Sequence, residues 1–265
     1  MEMQRLKLQK DGLTLSFLDA ANGGRPLIAL HAHWMEGATF RKLAGDLDPK
    51  WRVIALDQRG NGYSDHAASY RRKDYVEDVR ALLEHLKLKS AVILGNSLGG
   101  ANAYQFAARH PDMADALIIE DIGVEIHDDT SFALPWGGMF PTRQALEAKI
   151  GERLAPALAP SIRESAAGWH LAFDPRDTVT SQGELNGNHW NDWLASTCPA
   201  LIIRGKDSRV TDRAQLESMA ARRPNTSLIE IDGGHVVHFD NPDGFAAALK
   251  PFLDSLELVD GRPSQ

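Results

Sequence analysis

Short continuous apolar runs recur along the chain, each giving way to small or polar residues: Leu27-Ile28-Ala29-Leu30, Val53-Ile54-Ala55-Leu56, Ala91-Val92-Ile93-Leu94, Ala116-Leu117-Ile118-Ile119 and Leu201-Ile202-Ile203. Strands covered on both faces have this pattern, because neither side can be polar. Between the runs the apolar period becomes helical, most plainly from Asp74 to Leu86, where Val76, Val79, Leu83 and Leu86 share a face and charges occupy the rest. Two alternating runs, Gln4 to Leu8 and Leu13 to Leu18, flank Lys10-Asp11-Gly12 and predict an N-terminal β-hairpin. Strand and helix therefore alternate, which predicts an α/β fold with a mostly parallel, doubly wound sheet and helices on both faces. In such sheets ligands bind beyond the carboxyl ends of the strands, so the residues just after each apolar run are where chemistry is expected.

The alternation fails between Gly123 and Thr197, a stretch holding Pro135, Gly137-Gly138, Pro141, Pro156, Pro160, Pro175 and Gly187, with short helical pieces such as Thr142 to Leu154. A structureless loop of that length does not suit a compact domain. The stretch is read as an inserted helical cap, residues 123–197, dividing a core domain made of residues 1–122 and 198–265. Alternation resumes at Pro199 with a strand, a helix near Asp212 to Ala221, a strand near Ser227 to Ile231 and a closing helix near Pro242 to Leu256. The polar end, Glu257 to Gln265, is expected to fray.

Composition narrows the partners. The 265 residues are 43% hydrophobic and carry 29 basic against 36 acidic side chains, a net charge of −7. Nucleic acid and anionic membrane surfaces both need a basic footprint, and none is visible. The start is not a basic segment followed by an apolar run, and no apolar stretch approaches the roughly 18 residues a membrane span needs, so a cytoplasmic protein is expected. The single cysteine, Cys198, rules out an intramolecular disulfide and reads as a small core residue at a strand start. Six tryptophans remain as a large apolar load to be placed.

The strand Ala91 to Leu94 runs into Gly95-Asn96-Ser97-Leu98-Gly99-Gly100 and then a helical stretch, Ala101 to Arg109. This is G-x-S-x-G between a strand and a helix. In a nucleophile elbow of this kind the serine occupies a strained turn, and small neighbours two residues away let strand and helix approach closely. The bare pattern is unspecific, and a glycine-rich turn with a serine helix cap would produce it too. Its setting between a strand and a helix carries the reading.

With His31-Ala32-His33 after one strand, Asp57-Gln58-Arg59-Gly60-Asn61-Gly62-Tyr63-Ser64 after the next, the elbow at Ser97 and Gly234-His235 after the last, the chain resembles the α/β-hydrolase fold superfamily over nearly its whole length. The resemblance implies an eight-stranded sheet, a serine-esterase type of activity, no cofactor, and the chain order nucleophile, acid, histidine. It implies Ser97 as nucleophile and His235 as the base, because a serine hydroxyl at neutral pH needs an imidazole to take its proton. His238 reads as structural or pocket-lining. Many relatives carry the acid in a G-x-x-D arrangement, but here Gly205-Lys206-Asp207-Ser208 puts serine at that place and Asp207 one residue early. Others carry it at the end of the strand after the elbow helix, which reads Ile119-Glu120-Asp121-Ile122. Asp121 is preferred as the acid that orients the imidazole, with Asp207 and then Glu120 as alternatives.

By the same resemblance the oxyanion hole comes from the backbone N–H groups of Leu98 and His33, although Ala32 stands where the pattern has glycine. A rival reading takes His31-x-His33 as part of the H-x-H-x-D-H metal signature. The continuation Trp34-Met35-Glu36 lacks its Asp-His, so no metal is expected. Gly60-Asn61-Gly62 lacks a P-loop lysine and reads as a tight turn rather than a phosphate site. Four of the six tryptophans, Trp136, Trp169, Trp190 and Trp193, fall in the proposed cap, with Phe132, Met139, Phe140 and Phe173. About half of these are read as cap packing; Trp136, Phe140, Trp169 and Trp190 are taken as walls of an apolar substrate pocket. The expected activity is hydrolysis of a small carboxylic ester or lactone with a hydrophobic acyl or alcohol part. The alternatives are C–C bond hydrolysis of a ring-cleavage diketone and a non-catalytic small-molecule receptor.

Overall fold

The computed structural model describes residues 2–259. Its N-terminal hairpin pairs β1 (Gln4–Lys10) with β2 (Leu13–Asp19). Asp11 and Gly12 at its turn both have positive φ, the conformation that Asp-Gly favours in a two-residue hairpin. There follow β3 (Arg25–Leu30), α1 (Arg41–Leu47), β4 (Trp51–Leu56), α2 (Arg72–His85), β5 (Ala91–Asn96), α3 (Leu98–Arg109) and β6 (Ala114–Glu120). The inserted segment holds β7 (Glu125–Ile126), α4 (Arg143–Ile150), α5 (Ala155–Leu158), β8 (Ile162–Ser165), β9 (Gly168–Leu171), α6 (Pro175–Leu185), β10 (Gly187–Asn188) and α7 (Trp190–Leu194). The chain then returns through β11 (Ala200–Gly205), α8 (Arg213–Arg222), β12 (Thr226–Ile231), α9 (Val237–Asp240) and α10 (Pro242–Val259). The fraying expected from Glu257 falls partly on α10, which continues to Val259, and partly outside the described residues.

One eight-stranded sheet has the order β1-β2-β4-β3-β5-β6-β11-β12. Only β1–β2 and β2–β4 are antiparallel; the other neighbours run parallel. The uninterrupted apolar runs serve both faces. Ile28, Ile93, Leu117 and Ile202 pack with Val76, Tyr104 and Leu216 from α2, α3 and α8. Their neighbours Leu27, Val92, Ile118 and Ile203 pack on the other side with Leu43, Phe245 and Leu249 from α1 and α10. Helix α1 was not among the predicted elements, although Leu43, Ala44 and Leu47 have the spacing of one buried helical face.

The loop after β4 is held by charge. Arg59 grips Asp78 of α2 through Nε at 2.7 Å and Nη2 at 2.8 Å, and both side chains are buried. Gly60 and Gly62 take positive φ, and a β-carbon on Gly62 would overlap the Asp57 carboxylate. The segment is thus the tight turn that its glycines suggested.

The insertion holds the expected short helices and, beside them, strands that the sequence reading did not include. It contains the β8–β9 hairpin and the β7–β10 pair beside its helices. Four-residue strands around a Gly168 turn at φ 126° are too short to show a period. One part of the insertion has its own core, made of Ala133, Trp136, Leu146, Leu158, Leu171 and Phe173. Its later part does not: Leu185 and Trp193 join the core beneath the sheet, and Trp193 Nε1 donates to the Met219 carbonyl at 3.0 Å. Removing Trp193, which is fully buried, therefore weakens the sheet domain itself. Trp193→Ala is expected to cost about 3–5 kcal/mol in urea unfolding. Trp169→Ala, at a half-buried position, is expected to cost well under half of that.

Candidate active site

The elbow has the geometry its sequence requires. Ser97 lies between β5 and α3 at φ 54°, ψ −118°, a region closed to most non-glycine residues. Close approach of the surrounding backbone keeps it there. A β-carbon on Gly95 would overlap the Gly99 carbonyl, and one on Gly99 would overlap the Leu30 carbonyl of β3. The Ser97 N–H donates to the Glu120 carbonyl at 3.0 Å, tying the turn to the end of β6. Among the described residues the Ser97 hydroxyl forms no hydrogen bond.

Asp121, one residue beyond β6, is fully buried, also at positive φ (49°). Its carboxylate accepts from His235 Nδ1 at 2.7 Å, from Thr211 Oγ1 at 2.8 Å, from the Gly205 N–H at 3.3 Å and from the Ser208 hydroxyl. Ser208 is the serine in the place where many relatives carry the acid, and it turns its hydroxyl to Asp121. Asp207 is exposed, and its backbone N–H, not its side chain, is engaged, with the Gly233 carbonyl. Among the described residues the His235 ring is hydrogen-bonded to Asp121 and to neither Asp207 nor Glu120.

The loop after β3, the strand end that Gly99 packs against at Leu30, carries His31 and His33. Gln58 N–H donates to His31 Nε2 at 2.9 Å, so His31 carries its proton on Nδ1 and donates it to the Ala32 carbonyl at 2.7 Å. Both nitrogens of that ring are committed to the fold. His33 Nε2 meets Ser181 Oγ of α6 at 2.9 Å, and Ser181 Oγ in turn lies 2.8 Å from Tyr75 OH. Ala32 in the glycine place does not adopt a left-handed conformation; Trp34 does, at φ 68°. The N–H of Leu98 opens α3, where the first amides have no intrahelical acceptor. Leu98 follows the end of β5 and His33 the end of β3, and these two strands are parallel neighbours in the sheet.

The alpha/beta hydrolase fold family matches residues 25–179, a span that includes Ser97 and Asp121. The chain belongs to the α/β-hydrolase fold family. It is 27% identical over 259 residues to the 2-(acetamidomethylene)succinate hydrolase of Mesorhizobium japonicum, covering 92% of each chain. It is 26% identical over 264 residues to the 3-hydroxybutyrate-oligomer hydrolase of Cupriavidus necator, covering 88% of this chain and 90% of that one. A crystal structure of E-2-(acetamidomethylene)succinate hydrolase has the same fold, with a TM-score of 0.86 at 24% identity over 96% of this chain and 100% of that one. No helix among the described residues of this hydrolase is long and apolar enough to cross a membrane.

Glu120, the third candidate acid, holds a different histidine of this hydrolase. Its carboxylate accepts from the His238 N–H at 2.9 Å and from His238 Nδ1 at 2.7 Å, and both side chains are buried. The His238 ring stacks on Phe40 at 4.3 Å, and its Nε2 is enclosed without a partner. Nothing in the spacing of residues 235 and 238 foretold that the two adjacent acids would each take one histidine.

The predicted pocket aromatics of the hydrolase divide. Trp136 is buried and lies edge-on to Trp34, at 5.3 Å between ring centres, one residue from His33. Phe140 and Trp169 exchange backbone hydrogen bonds at 2.8 Å and pack on the insertion's own core. Trp190 is not brought to them: its Nε1 donates to Glu125 at 2.6 Å and its ring lies 3.8 Å from the Arg222 guanidinium, on α8. Phe132 is exposed and completes an aromatic cluster with Trp34 and Trp136.

Burial, reinforced by the nearby positive charge of Arg72, lowers the His33 pKa from 6.5 to about 3. The unfolded chain thus takes up a proton between those values that the folded chain refuses. Stability falls as pH drops below about 6.5, with the folding constant losing up to about tenfold per pH unit through this group. Urea unfolding between pH 4 and 7 is expected to show that slope, and His33→Gln is expected to flatten it.

Proposed function

We propose that this hydrolase cleaves a carboxylic ester or lactone through an acyl-enzyme on Ser97. The observation that carries the proposal is the 2.7 Å contact between His235 Nδ1 and a wholly buried Asp121, beside a serine at strained elbow geometry. In this mechanism Asp121 keeps the His235 proton on Nδ1 and stabilises the imidazolium, leaving Nε2 as the base. Ser97 Oγ attacks the carbonyl carbon while its proton passes to Nε2. The Leu98 and His33 N–H groups receive the oxyanion, and His235 protonates the departing alcohol. Water, deprotonated by His235, then releases the acid and restores Ser97. The Ser97–His235 hydrogen bond forms when substrate closes the site, since such contacts are often long without ligand. The protein's part of the cycle falls to side chains and amides already named.

The inserted segment serves as the cap of this site. Its aromatic cluster of Trp34, Phe132 and Trp136 beside His33 supports a substrate with a substantial apolar acyl or alcohol part. The 27% identity to a hydrolase named for an acetamido compound, 2-(acetamidomethylene)succinate, favours a second reading, in which the acyl group leaves from something other than an alcohol. The same residues would also serve a C–C hydrolase of diketones, so a panel of aryl esters, lactones, N-acyl compounds and ring-cleavage diketones separates the readings.

Intact mass after treatment with a fluorophosphonate is expected to show one adduct on the wild type and none on Ser97→Ala. Wild type without an adduct would remove the serine mechanism and favour a receptor. Asp121→Asn is expected to slow adduct formation by a factor on the order of 10³–10⁴, as loss of a triad acid does, while Asp207→Asn leaves it within about twofold.

A further inference from the structure

The loop that presents the His33 N–H is fastened largely by the insertion. At its ends it belongs to the sheet domain: the His31 ring is taken by Gln58, and the Gly37 N–H donates to Asp57 at 2.8 Å. Between those ends the attachments change sides. The His33 ring meets Ser181 of α6. The Trp34 carbonyl accepts from Ser161 Oγ at 2.9 Å, just before β8. Glu36, buried behind them, is ion-paired to Arg163 of β8. The Trp34 ring packs edge-on against Phe132 at 5.5 Å and Trp136 at 5.3 Å. Three separate pieces of the insertion, around residues 132–136, 161–163 and 181, thus grip three residues of one loop.

The conformation they hold is not one the loop would keep unaided. Trp34 is a bulky residue at φ 68°, a left-handed backbone that persists only where the surroundings over-determine it. Glu36 is a carboxylate taken out of water, which burial makes hard to ionise and the Arg163 charge makes easier. Arg163 is itself braced, lying 4.8 Å from the Tyr63 ring that Arg5 covers from 4.0 Å. Without Arg163, Glu36 keeps only the weaker influence of the Arg5 charge; without Ser161, the Trp34 carbonyl loses its donor. Either loss loosens the loop at Trp34 and Glu36, next to the Ala32–His33 peptide, whose carbonyl the His31 ring holds at 2.7 Å.

We infer that Ser161, Arg163 and Ser181 are positioning residues for the second oxyanion donor, setting from the insertion's side a loop that the His31 ring holds from the sheet domain. The inference rests on the ester-hydrolase reading of Ser97 and goes beyond it. Losing one such donor costs about 10²–10³-fold in rate. The cost appears where negative charge develops on oxygen, not in ground-state binding.

The test measures the rate constant for fluorophosphonate labelling of Ser97 and the inhibition constant of an arylboronic acid, whose tetrahedral adduct uses the same hole. Arg163→Met and Ser161→Ala are each expected to slow labelling and to weaken boronate binding by similar factors, about 10-fold or more. Arg163→Lys is expected to recover part of both losses. Arg163→Met and Glu36→Gln/Arg163→Met are expected to lose about the same amount, since either change opens the same latch. Labelling and boronate binding within about twofold of wild type in Ser161→Ala, which leaves the ion pair intact and guards against misfolding of the Arg163 variants, would overturn the inference. Slower labelling with unchanged boronate affinity would overturn it too. Failure of the wild type to label at all would instead strike the reading of Ser97.

Discussion

Two neighbouring carboxylates, Glu120 and Asp121, lie wholly out of water at the carboxyl end of β6, and much of the architecture follows from having to satisfy them. A buried carboxylate without donors costs several kcal/mol, so each must collect hydrogen bonds from whatever the fold can bring. Because β6 lies between β5 and β11, its end is where the elbow, the β11 loop and the β12 loop converge. Asp121 takes donors from Gly205, Ser208, Thr211 and His235, and Glu120 takes both the N–H and Nδ1 of His238. The Glu120 carbonyl also accepts from the Ser97 N–H and, at 3.2 Å, from Asn96 Nδ2, which reaches on to the His235 carbonyl at 2.9 Å. The Ser97 turn and the His235 loop are thus fixed to one dipeptide.

How far these relations show in the sequence depends on their range. Continuous apolar runs such as Ala91 to Leu94 announce strands because burial on both faces is written into consecutive residues. The elbow is equally local, since Gly95, Ser97 and Gly99 are two residues apart and their steric demands act across one turn. The acid is different. Asp121 and Asp207 end adjacent strands, and which one meets His235 depends on how β6 and β11 stagger and on the loop after β11 turning Ser208 inward. The departure at Ser208 was visible in the sequence; that its hydroxyl would become a donor to the remaining acid was not. The insertion was legible as a break in alternation but not in detail, because its strands are short and its tryptophans do not share a role. Trp193 is core, Trp136 lies beside the His33 loop, and Trp190 packs outward on Arg222 and Glu125.

The His33 loop shows the same limit from the other side. Ala32 stands where many relatives place glycine, which suggests strain at that residue. The fold moves the left-handed position two residues on, to Trp34, and holds it with contacts from segments more than 90 residues away in sequence. A propensity argument made at Ala32 is sound locally and still misses this, since long-range contacts can hold a locally unfavourable conformation.

The division of labour among the four histidines near the site follows from what each ring nitrogen can reach. His31 accepts a backbone N–H on one nitrogen and donates to a backbone carbonyl with the other, so its proton is part of the fold. His33 is kept neutral by burial and spends Nε2 on Ser181, which suits a strut better than a base. His238 gives Nδ1 to Glu120, and its Nε2 is sealed against aromatic rings, where no substrate proton arrives. His235 alone combines a buried carboxylate on Nδ1 with a side chain still 26% exposed. A base must be oriented from behind and reachable from in front, because the first sets its tautomer and the second lets it exchange protons with serine, leaving group and water. Of the four rings only His235 meets both demands, so the proposed mechanism assigns it the proton for reasons of access as well as of resemblance.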